Sequence, residues 1–573
     1  MARSGLRFSR NSRQLPFLSE GPVVRRNDEA GMPADQGDSA REGISRPGYQ
    51  EFGAIPGRID SITPKNHVNL VVMGEPDRFT IRDLICCGDQ DPDQHAIESP
   101  GYLPLTYHDL RLQIRSVVKS LNARGFHRND RIAIISVPGP ETAVCIVAVM
   151  AGFTSVPLNA HSTAGEYEDI FTRVGIRAVM VRKGDMTAAR AVAMSRAIPV
   201  IEMVPSGIAG KFDLLPAVPY ESGHAEFAIG TDTAYILMTS GTTGQSKIVA
   251  RRQKESAIGK QRTCAIQKIS QKDRCLHIVP YHHGMGISTS LLSPLVAGAT
   301  VICPGDFIPS DFIDLLRTFH PTYYSAGPTL NQGILRELKK IPPDLLKNHS
   351  LRYIRVSSGF LPQDLQRGLE SVLGVPVIDS YGMSETGLIA INLPPRRGSV
   401  GIPQSDSLAI IDENGIPLGP DSVGEIAVKD SLLFNGYESG PEEKESVFIN
   451  GWFRTGDLGY LDDEGYLFIT GRKKEIINKG GEKISPAEID AVLMDHPRVR
   501  EAMTFGIADP VLGEDIGAMI VPADPQVTEK DLRDFLLDRI TPFKIPRKIW
   551  FVDEIPRTPT GKPQRHAGTK RFS

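Results

Sequence analysis

Tyr235-Ile-Leu-Met-Thr-Ser-Gly-Thr-Thr-Gly-Gln-Ser-Lys247 passes from an apolar, strand-like run into glycines and hydroxyl side chains and ends on a lysine. Such a loop lets the backbone approach an anion closely, its amide and hydroxyl groups donate toward phosphate oxygens, and the lysine adds charge. The spacing is not that of a Walker loop, which needs Gly before the lysine and Ser or Thr after it. Ser246 and Ile248 hold those two places. The magnesium-binding hydroxyl of a Walker loop is therefore missing, and no helix start follows Lys247. Thr239, Ser240, Gly241, Thr242, Thr243, Gly244 and Lys247 are the candidate phosphate-binding residues. The competing reading, a polar loop after a buried strand, is weighed by what the rest of the chain contains.

Outward from this stretch, from about Leu103 on, segments of helical spacing alternate with short β-branched runs: "DRIAIISV", "RAVMVRK", "AYILMTS", "ATVICPG" and "VPVIDSYG". That alternation predicts an α/β fold of mostly parallel sheets covered by helices. After Gly424 the strands shorten, and Asp463-Glu464-Gly465 reads as a hairpin turn, so a β-rich subdomain is expected there. Ser485-Pro486-Ala487-Glu488 reads as a helix start, with Ser as N-cap, Pro at the first helical position and Glu placed to complete a capping box. The helix it opens buries Ile489, Val492 and Leu493 on one face. The expected division is a low-complexity extension at 1–60, a large domain at 61–471 and a small, mobile α/β domain at 472–573.

At 573 residues the chain exceeds what one hydrophobic core serves. A hydrophobic content of 40% and a charged content of 23% are ordinary for a globular protein, and a formal net charge of -3 gives no electrostatic reason for a nucleic-acid partner. Cys86, Cys87, Cys145, Cys264, Cys275 and Cys303 have neither zinc-ligand nor disulfide-framework spacing, which suits a reducing compartment. The longest apolar run, 142–158, is broken by Gly152 and Pro157 and reads as a core helix and a short strand rather than a membrane span. Arg3, Arg7, Arg10 and Arg13 stand among serines with no acid before Glu20, a pattern shared by transit peptides and disordered extensions. A cytoplasmic location is expected, with a mitochondrial one as the alternative.

Four further stretches join the opening loop: "YGMSETG" (381–387), "WFRTGDLG" (452–459), "GRKKEIINKGGEKISPAEID" (471–490) and "PRTPTGK" (556–562). In this order the five resemble the adenylate-forming superfamily of acyl-CoA synthetases, peptide-synthetase adenylation domains and beetle luciferases, over roughly residues 90–566. The resemblance implies ATP, magnesium and coenzyme A as cofactors and a small-molecule carboxylic acid as substrate. It implies that the 239–247 loop holds the departing β- and γ-phosphates, that Tyr381 and Gly382 lie at the adenine, that Ser384 meets the α-phosphate and that Glu385 holds magnesium, a hard cation that prefers carboxylate oxygen. It puts Asp457 and Arg472 on the ribose and Ser358 and Gly359 in the loop flanking adenine. Lys562 is the implied catalytic cation of adenylation, and Lys247 and Glu385 are the other implied catalytic residues. Lys474 matches the hinge of the small domain, and Gly480-Gly481 the loop presented to the thiol.

Departures from the family pattern concern the acid. Ser246 replaces the usual Pro of the phosphate loop and Ile248 the usual Gly. "VPYHHGMGI" matches the family's P-x-x-H-x-x-G stretch, making His283 a gate beside the carboxylate tunnel; a satisfied core histidine is the alternative. Among subfamilies the chain looks most like oxalate-CoA ligases and fungal acyl-CoA ligases. Met285 stands where that group has a second histidine, and Ala326-Gly327 replaces a bulkier residue, so a larger and more apolar acid than oxalate is expected. A stand-alone enzyme loading an acid onto a separate carrier protein, or a non-catalytic nucleotide-binding relative, are the competing classes.

Overall fold

Strands buried on both faces organise the larger part of the molecule. The structure, a computed structural model, describes residues 79–88, 90–217, 225–239, 246–405, 407–438, 447–557 and 563–572. Within these, one seven-stranded sheet runs in the order Phe212–Leu215, Val200–Pro205, Ala178–Arg182, Arg131–Ile135, Thr154–Leu158, Thr233–Thr239, Lys247–Arg252. Its inner pairings are parallel and only its two edge pairings are antiparallel. A nine-stranded sheet has the same plan, with parallel pairing through Thr300–Ile302, Arg274–Leu276, Tyr323–Ala326, Tyr353–Val356 and Val377–Met383. Every residue of Thr154–Leu158, Tyr323–Ala326 and Tyr353–Val356 is buried, as expected of strands covered by helices on both sides.

The helix Pro140–Met150 is buried all round: apart from Glu141 and Thr142 in its first turn its sequence is apolar, and a helix without a polar face has no side to give to water. It precedes the strand Thr154–Leu158, so the 142–158 run is a core helix and strand as expected. Among the described residues no helix is long and apolar enough to cross a membrane. All six cysteines are free.

The β-rich part is a five-stranded antiparallel sheet built on Ser407–Ile411, Gly424–Lys429, Trp452–Leu461 and Leu467–Arg472. Gly465, at φ +81, closes the turn between the last two. It begins at Ser407, a full strand earlier than the texture change at Gly424 suggests. A fourth sheet, carrying Val499–Asp509 and Gly513–Pro522 in long antiparallel register with Lys548–Phe551 parallel beside them, makes the C-terminal α/β unit.

The helix Pro486–Met494 begins where its sequence indicates, but the capping box does not form. Ser485 donates instead to the Thr470 carbonyl at 2.6 Å, and the Glu488 carboxylate pairs with Lys544 at 2.7 Å. The Ser485 hydroxyl is turned toward a long-range acceptor and the Glu488 carboxylate toward a long-range cation, both away from the local backbone amides. Ile489 and Leu493 are fully buried, and Val492 is half-buried at the cluster's edge. Beside Ser485, Gly471 has no room for a side chain, since a Cβ there would overlap the Ser485 hydroxyl. Gly471→Ala is expected to destabilise the protein by about 1–3 kcal/mol, the scale of overpacking a tight contact. A denaturant midpoint equal to that of the unsubstituted protein would refute this.

Candidate active site

The segment Tyr381–Gly387 forms a tight hairpin between Val377–Met383 and Gly387–Ile391. Gly382 sits against the Gly387 carbonyl so closely that a Cβ would collide with it, which is why the turn holds glycine there. The buried phenol of Tyr381 donates to Asp457 Oδ2 at 2.6 Å, and Asp457 Oδ1 is ion-paired with Arg472 Nε at 2.9 Å. Burial and the Asp457 charge push the Tyr381 phenol well above its ordinary range, so it stays a donor. Asp457 and Arg472 are brought together by strand register, being direct partners across the Trp452–Leu461 and Leu467–Arg472 pair.

On the other side of the hairpin Glu385 is buried, and its Oε1 accepts from the Tyr437 hydroxyl at 2.7 Å. Lys247 lies over the Tyr437 ring, 4.0 Å from its centroid, so this one aromatic joins the end of the glycine-rich loop to the hairpin carboxylate. The Glu385 carbonyl accepts from the guanidinium of buried Arg251 and from the Phe434 amide at 3.0 Å. Tyr437 and Arg251 escaped the sequence reading. The only signal for either was a tyrosine in the Gly-bearing run "FNGYESG" and an arginine at the end of the strand after the loop. Thr239 and Lys247 are paired residues of adjacent strands. Ser240, Gly241, Thr242, Thr243 and Gly244 lie outside the described residues, as does Lys562.

The acyl-side candidates converge on the same hairpin. A Cβ on Gly284 would stand 3.7 Å from Ser384 Oγ, which sets the Pro280–Gly286 turn against the hairpin tip. His277 shapes that turn: it stacks on Tyr281 at 4.1 Å and donates to the Gly286 carbonyl at 3.1 Å. Burial lowers its pKa to about 4, which keeps it neutral. The rings of His282 and His283 are 4.4 Å apart, and burial followed by the charges of His283 and His161 lowers His282 to about 3. Met285 opens a π-helical stretch, Met285–Leu292, directly after the turn. Such wide turns recur at functional sites.

Ala326 ends a buried strand, and Gly327 caps the helix Pro328–Leu338. Ser358, at φ +68, is a non-glycine residue in the left-handed region, a strained geometry that the surrounding contacts must hold. Ser357 Oγ donates to the Ser380 carbonyl at 2.9 Å, and a Cβ on Gly359 would touch Pro328 at 3.4 Å. The 357–359 loop therefore bridges the hairpin strand and the Gly327 helix start. Arg557 Nη1 donates to Thr329 Oγ1 at 3.3 Å, and Arg557 is bridged to Pro563. The two ends of the segment carrying Lys562 thus stand beside the acyl-side helix.

Around Lys474 the side-chain anchors change sides. Arg472 pairs with Asp457, and Lys473 with Glu425 at 3.1 Å, both in the β-rich sheet. Glu475 pairs with Arg565 at 2.7 Å, in the last helix of the chain. Gly480, at φ +61, and Gly481, at φ +97, form a separate tip, held by Gly480 N donating to the Leu512 carbonyl at 2.8 Å. Every described candidate except this glycine pair and Lys474 gathers around the 381–387 hairpin.

The profile of the family described as AMP-binding enzyme matches residues 87–438, and that of its C-terminal domain matches 488–562. This chain belongs to the AMP-binding enzymes. It is 35% identical to a probable CoA ligase, CCL9, of Humulus lupulus over 84% of this chain and 94% of that protein. To the oxalate-CoA ligase of Arabidopsis thaliana it is 33% identical over 84% and 96%. The ATP-bound crystal structure of MatB from Rhodopseudomonas palustris superposes with a TM-score of 0.77 at 28% identity, covering 86% of this chain and 98% of that one. The o-succinylbenzoate CoA synthetase MenE of Bacillus subtilis, in complex with an acyl-adenylate intermediate, superposes at 0.75 with 27% identity and coverage of 86% and 98%. As an AMP-binding enzyme the chain carries all five motif regions in the family's order.

Proposed function

We infer that this AMP-binding enzyme is an ATP-dependent carboxylic acid-CoA ligase. The acid's carboxylate attacks the α-phosphate of ATP, giving acyl-AMP and pyrophosphate, and the thiol of coenzyme A then displaces AMP to form the thioester. The observation that carries this reading is the single hairpin that joins Lys247, Tyr437 and Glu385 on one flank with Tyr381, Asp457 and Arg472 on the other. One flank offers a cation and a carboxylate to a metal-bound polyphosphate, the other an acceptor for ribose hydroxyls. Tyr381 and Arg472 use one lone-pair direction on each Asp457 oxygen, and a carboxylate has about four, so room is left for the ribose.

Magnesium fits this donor set. Glu385 offers a buried carboxylate of which one oxygen, Oε1, accepts from Tyr437, and magnesium is commonly held by one or two carboxylates together with phosphate oxygens and water. Glu385 would hold it, and the ion would neutralise charge developing on the departing phosphates. In Glu385→Ala, adenylation is expected to fall by about 10–100-fold and to need more magnesium for half-maximal rate. A magnesium titration identical to the unsubstituted enzyme's would remove Glu385 from this role.

The acid we propose is larger and more apolar than oxalate. Gly327 carries no side chain where a Cβ would come into ordinary contact with the Ser357 carbonyl at 3.7 Å, and Met285 is a flexible apolar side chain in place of a polar one. Pyrophosphate release with oxalate, malonate, 2-succinylbenzoate, 4-coumarate, hexanoate and dodecanoate tests this. Fastest turnover of oxalate would overturn the acid assignment, and formation of ADP would overturn the ligase reading. Turnover with a phosphopantetheinyl carrier and none with free coenzyme A would move the enzyme to the carrier-loading class. We propose a cytoplasmic location, with mitochondrial import of a fusion bearing residues 1–60 as the result that would overturn it.

A further inference from the structure

We propose that Arg565, Glu475 and Asp490 form a clamp that keeps the Lys562 segment in register with the hinge, making Arg565 and Glu475 positioning residues for adenylation; this rests on the ligase reading above. Arg565 stands three positions after Lys562 and opens the helix Arg565–Phe572. Its Nε pairs with Glu475 Oε2 at 2.7 Å, while its Nη1 pairs with Asp490 Oδ2 at 2.6 Å and donates to the Thr504 carbonyl at 2.6 Å. The Arg565 and Asp490 side chains are only 17% and 16% exposed. A planar guanidinium fork can serve three acceptors at fixed angles, which an ammonium on a flexible stem cannot do.

The helix does not need this clamp to stay attached. Thr569 donates to the Gly506 carbonyl at 3.0 Å, and the Phe572 ring stacks on Trp550 at 4.3 Å. What the Arg565–Glu475 link adds is a connection to the residue directly after Lys474. The upstream end of the lysine segment is fixed separately, by Gln564 N donating to the Pro556 carbonyl at 2.8 Å and by Arg557 pairing with Glu501 at 2.5 Å. The described residues on either side of 558–562 are thereby tied to one another and to the residue directly after Lys474.

The thiol-side loop depends on other contacts. Lys479 pairs with Asp515 at 2.7 Å, and Gly481 N donates to Asn478 Oδ1 at 3.2 Å. Loosening the clamp should therefore misplace Lys562 and leave the Gly480-Gly481 tip where it is. A misplacement of about 1 Å at a reacting centre costs about 10²-fold, so the effect is measurable.

The test uses the full chain and the fastest acid of the panel above. The unsubstituted enzyme must first convert ATP to AMP and pyrophosphate; if it does not, the ligase reading fails and the clamp is not at issue. Given that activity, Arg565→Lys is expected to slow single-turnover pyrophosphate release by about 10–100-fold and Glu475→Gln by about 5–10-fold, with thioester formation from supplied acyl-AMP changed less than about 2-fold. Glu475→Gln is expected to add nothing in a Lys562→Ala background, since both act through one cation. Equal loss in both half-reactions, loss in neither, or additive loss in the double variant would each overturn the proposal. If Arg565→Lys does not fold, Glu475→Gln, at a one-third exposed position, carries the same three readouts.

Discussion

Lys562→Ala is expected to slow acyl-adenylate formation by about 10² to 10³, the effect of removing one preorganised charge-stabilising group, while thioester formation from supplied acyl-AMP stays nearly unchanged. When a carboxylate attacks the α-phosphate, two anions approach each other, and a cation between them stabilises the transition state more than either separated reactant. The second half-reaction has no such encounter, because the nucleophile is a thiol and the leaving group is AMP. The bridge of Arg557 with Pro563 and the reach of Arg557 to Thr329 bring the base of the lysine segment to the helix that Gly327 caps, where the acid would lie. Stopped-flow pyrophosphate release and single-turnover thioester formation, measured separately, decide the matter. A comparable loss in both would mean that Lys562 supports the fold or binds the nucleotide throughout.

Lys474→Pro should show the opposite split. One active site serves both steps only if the small domain turns to replace Lys562 with the Gly480-Gly481 loop, a rigid-body motion absorbed by a few backbone dihedrals. The change of anchors, with Arg472 and Lys473 tied to Asp457 and Glu425 and Glu475 tied to Arg565, falls at Lys474. It lies in the short 3-10 helix Lys473–Glu475, whose φ of about -50 to -70° a proline ring accepts. Adenylation should therefore stay within about 10-fold of normal, the ring's bias of Lys473 toward extended backbone accounting for the loss. Thioester formation is expected to fall by about 10² or more, since a locked φ withholds the rotation and about 3 kcal/mol corresponds to two decades in rate. Equal rates of thioester formation in variant and parent would exclude rotation at this residue.

Sequence alone determined the α/β class, the family, the ligase chemistry it carries and the strand that leads into the glycine-rich loop. These rest on local signals: β-branched runs buried on both faces, glycines where backbone must come close, and five short motifs in order. Gly382 and Gly471 stand within those motifs, but that a Cβ at either would strike a neighbour is visible only in the fold. Tertiary structure alone decided which side chains answer one another. Ser485 and Glu488 have the pattern of a capping box, yet Thr470 and Lys544, 15 and 56 residues away in the chain, take their hydrogen bonds. Tyr437 links Lys247 to Glu385 from a loop with no motif of its own, because an aromatic ring needs only the right place, and place comes from how two sheets pack. The same holds at the hinge. The charges of 472–475 are plain in the sequence, but which domain each one holds depends on carboxylates and a guanidinium up to 90 residues away, and distances of that kind are set by folding.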